Sequence, residues 1–315
     1  MSLATSQPTT TTAVAETLPG FSTFLRQRVR DYSELCRLRI AVMTMVSVAV
    51  GFTLASPIVF QANVLIVSLV GVVFLVAASS IFNQCLEQQT DRLMKRTVSR
   101  PIASGRLPLS EAISVASILT VVGFALLWHY VNSMAAFATL ATLVTYVCGY
   151  TVLKTKTSLC TTVGAVPGAM PPVIGWLAAG GPLGMEAFSL FAVFFVWQFP
   201  HFLAIGWIHR RDYEKAGLKM LPSFNDNGLL TGVFAVTYAT VFVPISALPA
   251  YVGVTGDFYL LVALGLSICY LLHSLVFLWK RTDVNARRLL YVSLCCLPLL
   301  LGALVIDFLR LTAFG

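Results

Sequence analysis

From Ala62 to Arg106 the sequence reads ANVLIVSLVGVVFLVAASSIF and then, starting at Asn83, NQCLEQQTDRLMKRTVSRPIASGR. The first part carries no charge and is long enough to cross a bilayer, which takes about 20 apolar residues. The second part is polar from its first residue. Asn83, Glu87 and Asp91 recur at four-residue intervals, and on a helix each such step advances about 400°. The three oxygen-bearing side chains therefore share one face over about 12 Å. Mg²⁺ commonly binds one or two such carboxylates and completes its shell with water and phosphate oxygens. Arg92, Lys95, Arg96, Arg100 and Arg106 come directly after, so a metal-bound polyphosphate would suit the whole stretch. The same residues also read as a polar loop between membrane spans, whose bases mark one membrane side and whose acids balance them.

The rest of the chain supports a membrane setting. Of 315 residues, 57% are hydrophobic and 11% charged, against roughly 25% charged in a typical soluble domain. Apolar runs at 40–58, 62–82, 111–130, 133–152, 161–180, 186–208, 229–250, 257–279 and 288–308 predict nine spans. Cytoplasmic loops carry an excess of Lys and Arg. With nine spans, every one of the 21 bases except Arg310 falls on one face. This places the N-terminus inside and the C-terminus outside. The net charge of +8 is then a topology signal and gives no reason to expect a nucleic-acid partner.

Residues 1–20 are rich in Thr, Ser, Ala and Pro, and a disordered tail is expected. Over 21–38, apolar residues recur at three- and four-residue spacing with arginines between them. That pattern predicts an amphipathic helix on the inner membrane surface. Its arginines resemble part of a mitochondrial targeting segment but begin late, which favours a bacterial inner membrane. The remainder, 39–315, reads as one transmembrane domain. The seven cysteines show no CxxC spacing and mostly lie in apolar runs, as small buried side chains do.

A second polar cluster, WQFPHFLAIGWIHRRDYEKAGLKMLP (Trp197–Pro222), comes after the sixth span. On one unbroken helix, Gln198, His201, His209 and Asp212 would form a polar stripe. Pro200 interrupts that helix and points to a cavity near His201. His201 is a candidate for iron ligation, proton transfer or a bond to a neighbouring helix. His209 fits phosphate contact or an ordinary loop. The fifth span contains VGAVPGAMPPVIGW (Val163–Trp176), which implies close backbone approach. At the inner end of the fourth span, Tyr146, Tyr150 and Lys154 share a face. They can reach phosphate or act as an interfacial belt with a snorkelling lysine. Of the thirteen acids, Glu87, Asp91, Asp212 and Glu214 adjoin apolar cores, and ionisable groups at such places are functional candidates. Glu214 points away from the stripe and is set aside.

Asn83–Arg106 and Trp197–Pro222 together resemble the intramembrane prenyltransferases of the UbiA type, and the second stretch is similar to their haem-modifying branch. The resemblance runs from about residue 30 to the end. It implies an all-α bundle of nine transmembrane helices around a central cavity. The implied reaction transfers a farnesyl group from farnesyl diphosphate to a vinyl carbon of haem B, with addition of water, to make haem O for haem-copper terminal oxidases. Mg²⁺ on Asn83, Glu87, Asp91 and Asp212 is implied, with Arg92, Lys95, Arg96, Arg100, Tyr150, Lys154 and His209 around the diphosphate. His201 and Gln198 are expected at the haem, and a haem A synthase is expected to take the product. The aspartate-rich pattern of the family is reduced here, because Glu87 takes one position of the first motif. His209 and Asp212 are the nearest matches to the second.

Overall fold

The computed structural model describes residues 21–56, 60–221 and 227–314. The expected tail over 1–20 lies outside them. Helix α1 spans Phe21–Leu35 and α2 Leu38–Leu54, α3 Ala62–Leu86 and α4 Gln88–Leu93, α5 Leu109–Tyr130. Helix α6, Ser133–Val144, runs directly into a π-helical turn, Thr145–Thr151. Then come α7 Cys160–Ala178, α8 Met185–Ile208 and α9 Arg210–Lys215. The last three are α10 Leu229–Tyr251, α11 Asp257–Trp279 and α12 Asp283–Phe314.

Among the described residues, each of the nine expected spans holds a helix: α2, α3, α5, α6 with its π-turn, α7, α8, α10, α11 and α12. Seven are long and apolar enough to cross a membrane alone, and α2 passes together with α1, from which it is bent by 52°. The ninth, α7, is the Gly/Pro-rich span, with Pro167, Pro171 and Pro172 inside it. The chain is an all-helical polytopic membrane protein.

Lipid tails are as apolar as leucine, so membrane helices associate through close packing of small residues more than through hydrophobicity. The crossing of α2 and α7 shows this. A Cβ on Gly51 would collide with the Pro172 carbonyl, and one on Gly175 would collide with that of Val48. Two apolar cores result. One lies among α3, α5 and α6 and the other among α7, α8, α10, α11 and α12. Helices α2 and α7 join both, through Val48 and Ile174 to the first and through Phe52 and Trp176 to the second.

Helix α1 ends before the predicted residue 38, because Cys36 and Arg37 form the bend. Its inward residues are tied to the neighbouring inner segments. Asp31 accepts from Arg106 Nε at 2.9 Å, and Tyr32 donates to Glu111 at 2.6 Å. Leu25, Arg26, Val29 and Arg30 lie on the exposed side. The basic connections gather at one end of the bundle. Glu87 meets Lys154, the Lys219 amide donates to the Lys154 carbonyl at 2.7 Å, and Arg210 pairs with Asp283 at 2.8 Å. At the other end, Asp307 of α12 accepts the Gly256 and Tyr259 amides at 2.7 and 3.0 Å and so caps α11.

Candidate active site

The backbone bonds from Glu87 N to Asn83 O (2.9 Å) and from Asp91 N to Glu87 O (2.8 Å) carry the four-residue spacing across the joint between α3 and α4. The three side chains nonetheless meet different fates. Asn83 is fully buried: its Nδ2 donates to Thr151 Oγ1 at 3.0 Å and its Oδ1 accepts from Arg37 at 3.3 Å. It braces other residues and does not line the cavity. Glu87 and Asp91 do line it.

These two carboxylates converge on one guanidinium. Arg100 reaches both oxygens of Asp91, at 2.8 and 2.7 Å, and lies 3.9 Å from Glu87. Lys154 donates to the other Glu87 oxygen at 2.6 Å, and its ammonium sits 4.2 Å over the Tyr150 ring. The π-turn positions that lysine. A π-helical turn takes one more residue than an α-turn and shifts everything after it around the helix axis. Tyr146 and Tyr150 come together in it, with ring centroids 5.3 Å apart.

Arg37 was expected only as one of several inside-facing bases, yet it borders the cavity. It is the one described non-glycine residue at positive φ, +47°. Non-glycine residues take up this conformation only where their surroundings hold them in it. Here Asn83 and the bend after α1 do so.

Burial alone would raise the Glu87 carboxyl. Lys154, with Arg37 and Arg100 farther off, outweighs burial and holds it below the ordinary range. Asp91 goes the other way, because burial exceeds the pull of Arg100 and the neighbouring Glu87 charge adds to it. Burial would lower the Lys154 ammonium, but Tyr150 and Glu87 keep it above the ordinary value.

These groups open onto a cavity of about 340 Å³, within the range of small-molecule sites. Arg96, Tyr146, Thr161 and Tyr213 contribute to its wall. Ile40, Met94, Phe202, Leu203 and Met220 make much of it apolar. The two distant polar stretches meet here, since Met94 of the first packs with Tyr213, Ala216 and Leu218 of the second.

The remaining expected residues lie elsewhere. The predicted stripe on the sixth span does not form, because the helix is interrupted at His209, between the end of α8 at Ile208 and the start of α9 at Arg210. Gln198 points to α7 and donates to the Ala165 carbonyl at 2.8 Å, in space left by Gly168, where a Cβ would meet the Gln198 amide oxygen. His201 faces α12, with Nδ1 2.7 Å from Ser293 Oγ, although Phe202 beside it lines the cavity. His209 and Asp212 fall outside the lining. Burial and the Arg96 charge, then Arg287, lower the His209 imidazole against the opposing Asp212. Arg92 is spent on its own loop, donating to the Ala103 carbonyl at 2.9 Å, and Lys95 is exposed. Among the described residues no cluster of three metal-ligating acids, histidines or cysteines occurs. The carboxylates that line the cavity are Glu87 and Asp91.

Buried Asp91 and partly buried Glu87 thus close on the Arg100 guanidinium beside a cavity whose wall is largely apolar. The chain belongs to the UbiA prenyltransferase family, whose model matches residues 44–297.

Within that family, the protoheme IX farnesyltransferase of Solibacter usitatus (strain Ellin6076) is 38% identical over 288 residues, covering 89% of this chain and 99% of that protein. The protein of that name from Koribacter versatilis (strain Ellin345) is 36% identical over 299 residues, covering 92% and 95%. A solved digeranylgeranylglyceryl phosphate synthase shares the fold with a TM-score of 0.76 at 18% identity, covering 90% of this chain and 99% of that one. A UbiA homolog from Archaeoglobus fulgidus bound to GPP and Mg²⁺ superposes with a TM-score of 0.63 at 16% identity, covering 87% and 99%.

Proposed function

We propose that this protein transfers the farnesyl group of farnesyl diphosphate to a vinyl group of haem B, with addition of water, giving haem O and diphosphate. The observation that carries the reading is the convergence of Glu87, Asp91, Arg100 and Lys154 at the mouth of the cavity, in a chain whose relatives bear the farnesyltransferase name.

A divalent cation fits the residues present. Glu87 and Asp91 already grip one positive group between them, the Arg100 guanidinium, and both offer the hard oxygens that Mg²⁺ selects. Held by these two and by diphosphate oxygens, Mg²⁺ would supply positive charge to the departing diphosphate.

The chain's own side chains do the rest. Breaking the allylic C–O bond leaves its electron pair on the diphosphate, and Arg96, Arg100, Lys154 and Arg37 surround that growing charge with donors. The carbon left behind is an allylic cation. Ile40, Met94, Phe202 and Leu203 keep bulk water from that cation. The vinyl electrons of haem then form the new C–C bond, and water adds to the carbon next to the ring with loss of a proton. Burying the farnesyl chain contributes about 0.8 kcal/mol per CH₂, which favours a site within the bilayer. His201 is assigned to the haem, as iron contact or proton acceptor.

The reading places the protein in a bacterial inner membrane with the site facing the cytoplasm, where the basic connections gather. It takes 39–315 as one prenyltransferase domain preceded by a helix on the membrane surface, and a haem A synthase as the next enzyme.

Diphosphate release tests the assignment. Purified protein given farnesyl diphosphate should release diphosphate when haem B is added and not when a phenolic quinone precursor replaces it. The reverse preference would reassign the acceptor. Movement of haem across liposomes without any diphosphate release would make the protein a carrier.

A further inference from the structure

The two faces of helix α1 meet different surroundings. On one, Arg28 donates to Glu111 at 3.1 Å, Asp31 and Glu34 hold Arg106, and the Leu35 carbonyl accepts from Gln84 Nε2 at 2.9 Å. On the other, Leu25 and Val29 are 52% and 64% exposed, with Arg26 and Arg30 exposed beside them. Arg39, just past the bend, is exposed too. Among the described residues none of Arg26, Arg30 and Arg39 has an ion-pair partner.

Four residues apart, the two apolar side chains and the two arginines of α1 run as neighbouring stripes along the helix. Water suits the arginines and not Leu25 and Val29, whereas an apolar interior suits the reverse. The boundary between lipid headgroups and acyl chains suits both. A neutral surface engages only the apolar stripe. An anionic one adds the arginines, each of which strengthens attachment about fivefold.

The inward face gives such docking a consequence at the site. Arg106, held by Asp31 at 2.9 Å and by Glu34 at 3.2 Å, also donates to the Ser99 carbonyl at 2.7 Å, next to Arg100. The chain leaves α1 through the left-handed residue Arg37, which borders the cavity and donates to Asn83. Helix α1 is thus tied both to Arg37 and to the loop that carries Arg100.

We propose that the outward face of α1 binds anionic phospholipid headgroups, and that the docked helix holds Arg37 and Arg100 in position for the diphosphate. The proposal rests on the reading of α1 as a helix on the membrane surface and of the cavity as the diphosphate site.

Its test places full-length protein in nanodiscs of phosphatidylcholine alone or mixed with phosphatidylglycerol. Phosphatidylglycerol should slow amide exchange over 22–34 and lower KM for farnesyl diphosphate about fivefold, with kcat little changed. An anionic surface by itself repels the diphosphate and would raise KM, so simple electrostatics predicts the opposite sign. Arg26→Gln combined with Arg30→Gln should lose both effects and behave in either lipid as the wild type does in phosphatidylcholine. Exchange over 22–34 that is the same in both lipids would overturn the docking. Slower exchange with an unchanged or higher KM would overturn the hold on Arg37 and Arg100. Absence of haem-dependent turnover in both lipids would contradict the proposed reaction, and the exchange measurement would still decide the docking.

Discussion

Glu87 holds Lys154 at 2.6 Å with both side chains only 11–12% exposed, and removing one member of so buried a pair costs about 3–5 kcal/mol. Lys154→Met should therefore lower the melting temperature as well as activity, which a thermal melt in detergent checks. The pH dependence has a definite sign. In chelator-treated protein the Glu87 carboxyl lies below its ordinary value of about 4.3. Its stabilising effect is present above that pH and fades as pH falls through the lowered value. Glu87→Gln should melt below wild type at neutral pH, with the gap narrowing as pH falls below the ordinary carboxylate value; a gap that stays constant would remove the pair from the account. Asp91→Asn keeps the shape and loses the charge. Its turnover should fall at least about a hundredfold while the protein stays folded, and near-normal turnover would refute a role for Asp91 in holding the diphosphate. At this scale some residues misled. Arg37 comes after other arginines before the first span, so its charge read as topology, and nothing local in the sequence announces a left-handed backbone. The spacing of Asn83 placed it on the correct face, yet spacing cannot tell a side chain open to ligand from one already engaged by Arg37 and Thr151.

Among the elements, the apolar runs marked the helices because a bilayer demands continuous runs of known length. The π-turn at Thr145–Thr151 was not legible, since one extra residue leaves an apolar pattern intact while rotating the residues beyond it, Lys154 among them. Deleting Cys148, which is exposed within that turn, should leave the span helical but turn Lys154 away from Glu87. Circular dichroism should change little, and activity should be lost. The stripe expected on Gln198, His201, His209 and Asp212 failed because the helix stops at Ile208, and Gln198 and His201 turn to different neighbours. Close packing was easier to read, because Gly175 lies in a segment rich in small residues. Gly175→Ala forces a methyl group against the α2 backbone and should destabilise the protein by about 1–3 kcal/mol, seen as an earlier melt.

For the whole molecule, two halves with separate apolar cores bring their inner polar segments together, as the packing of Met94 on Tyr213 records. On the proposed reading, a cation held by Glu87 and Asp91 completes its shell with the substrate's own oxygens. Chelation should therefore stop turnover reversibly, with Mg²⁺ restoring it, while leaving the helical content unchanged. The most direct measurement is the mass of the product formed when purified protein is incubated with haem B, farnesyl diphosphate and Mg²⁺. The account predicts a porphyrin heavier by one farnesyl group and the elements of water, absent when Asp91 is replaced by Asn. Recovery of unmodified haem from active, folded protein that prenylates another acceptor would contradict it.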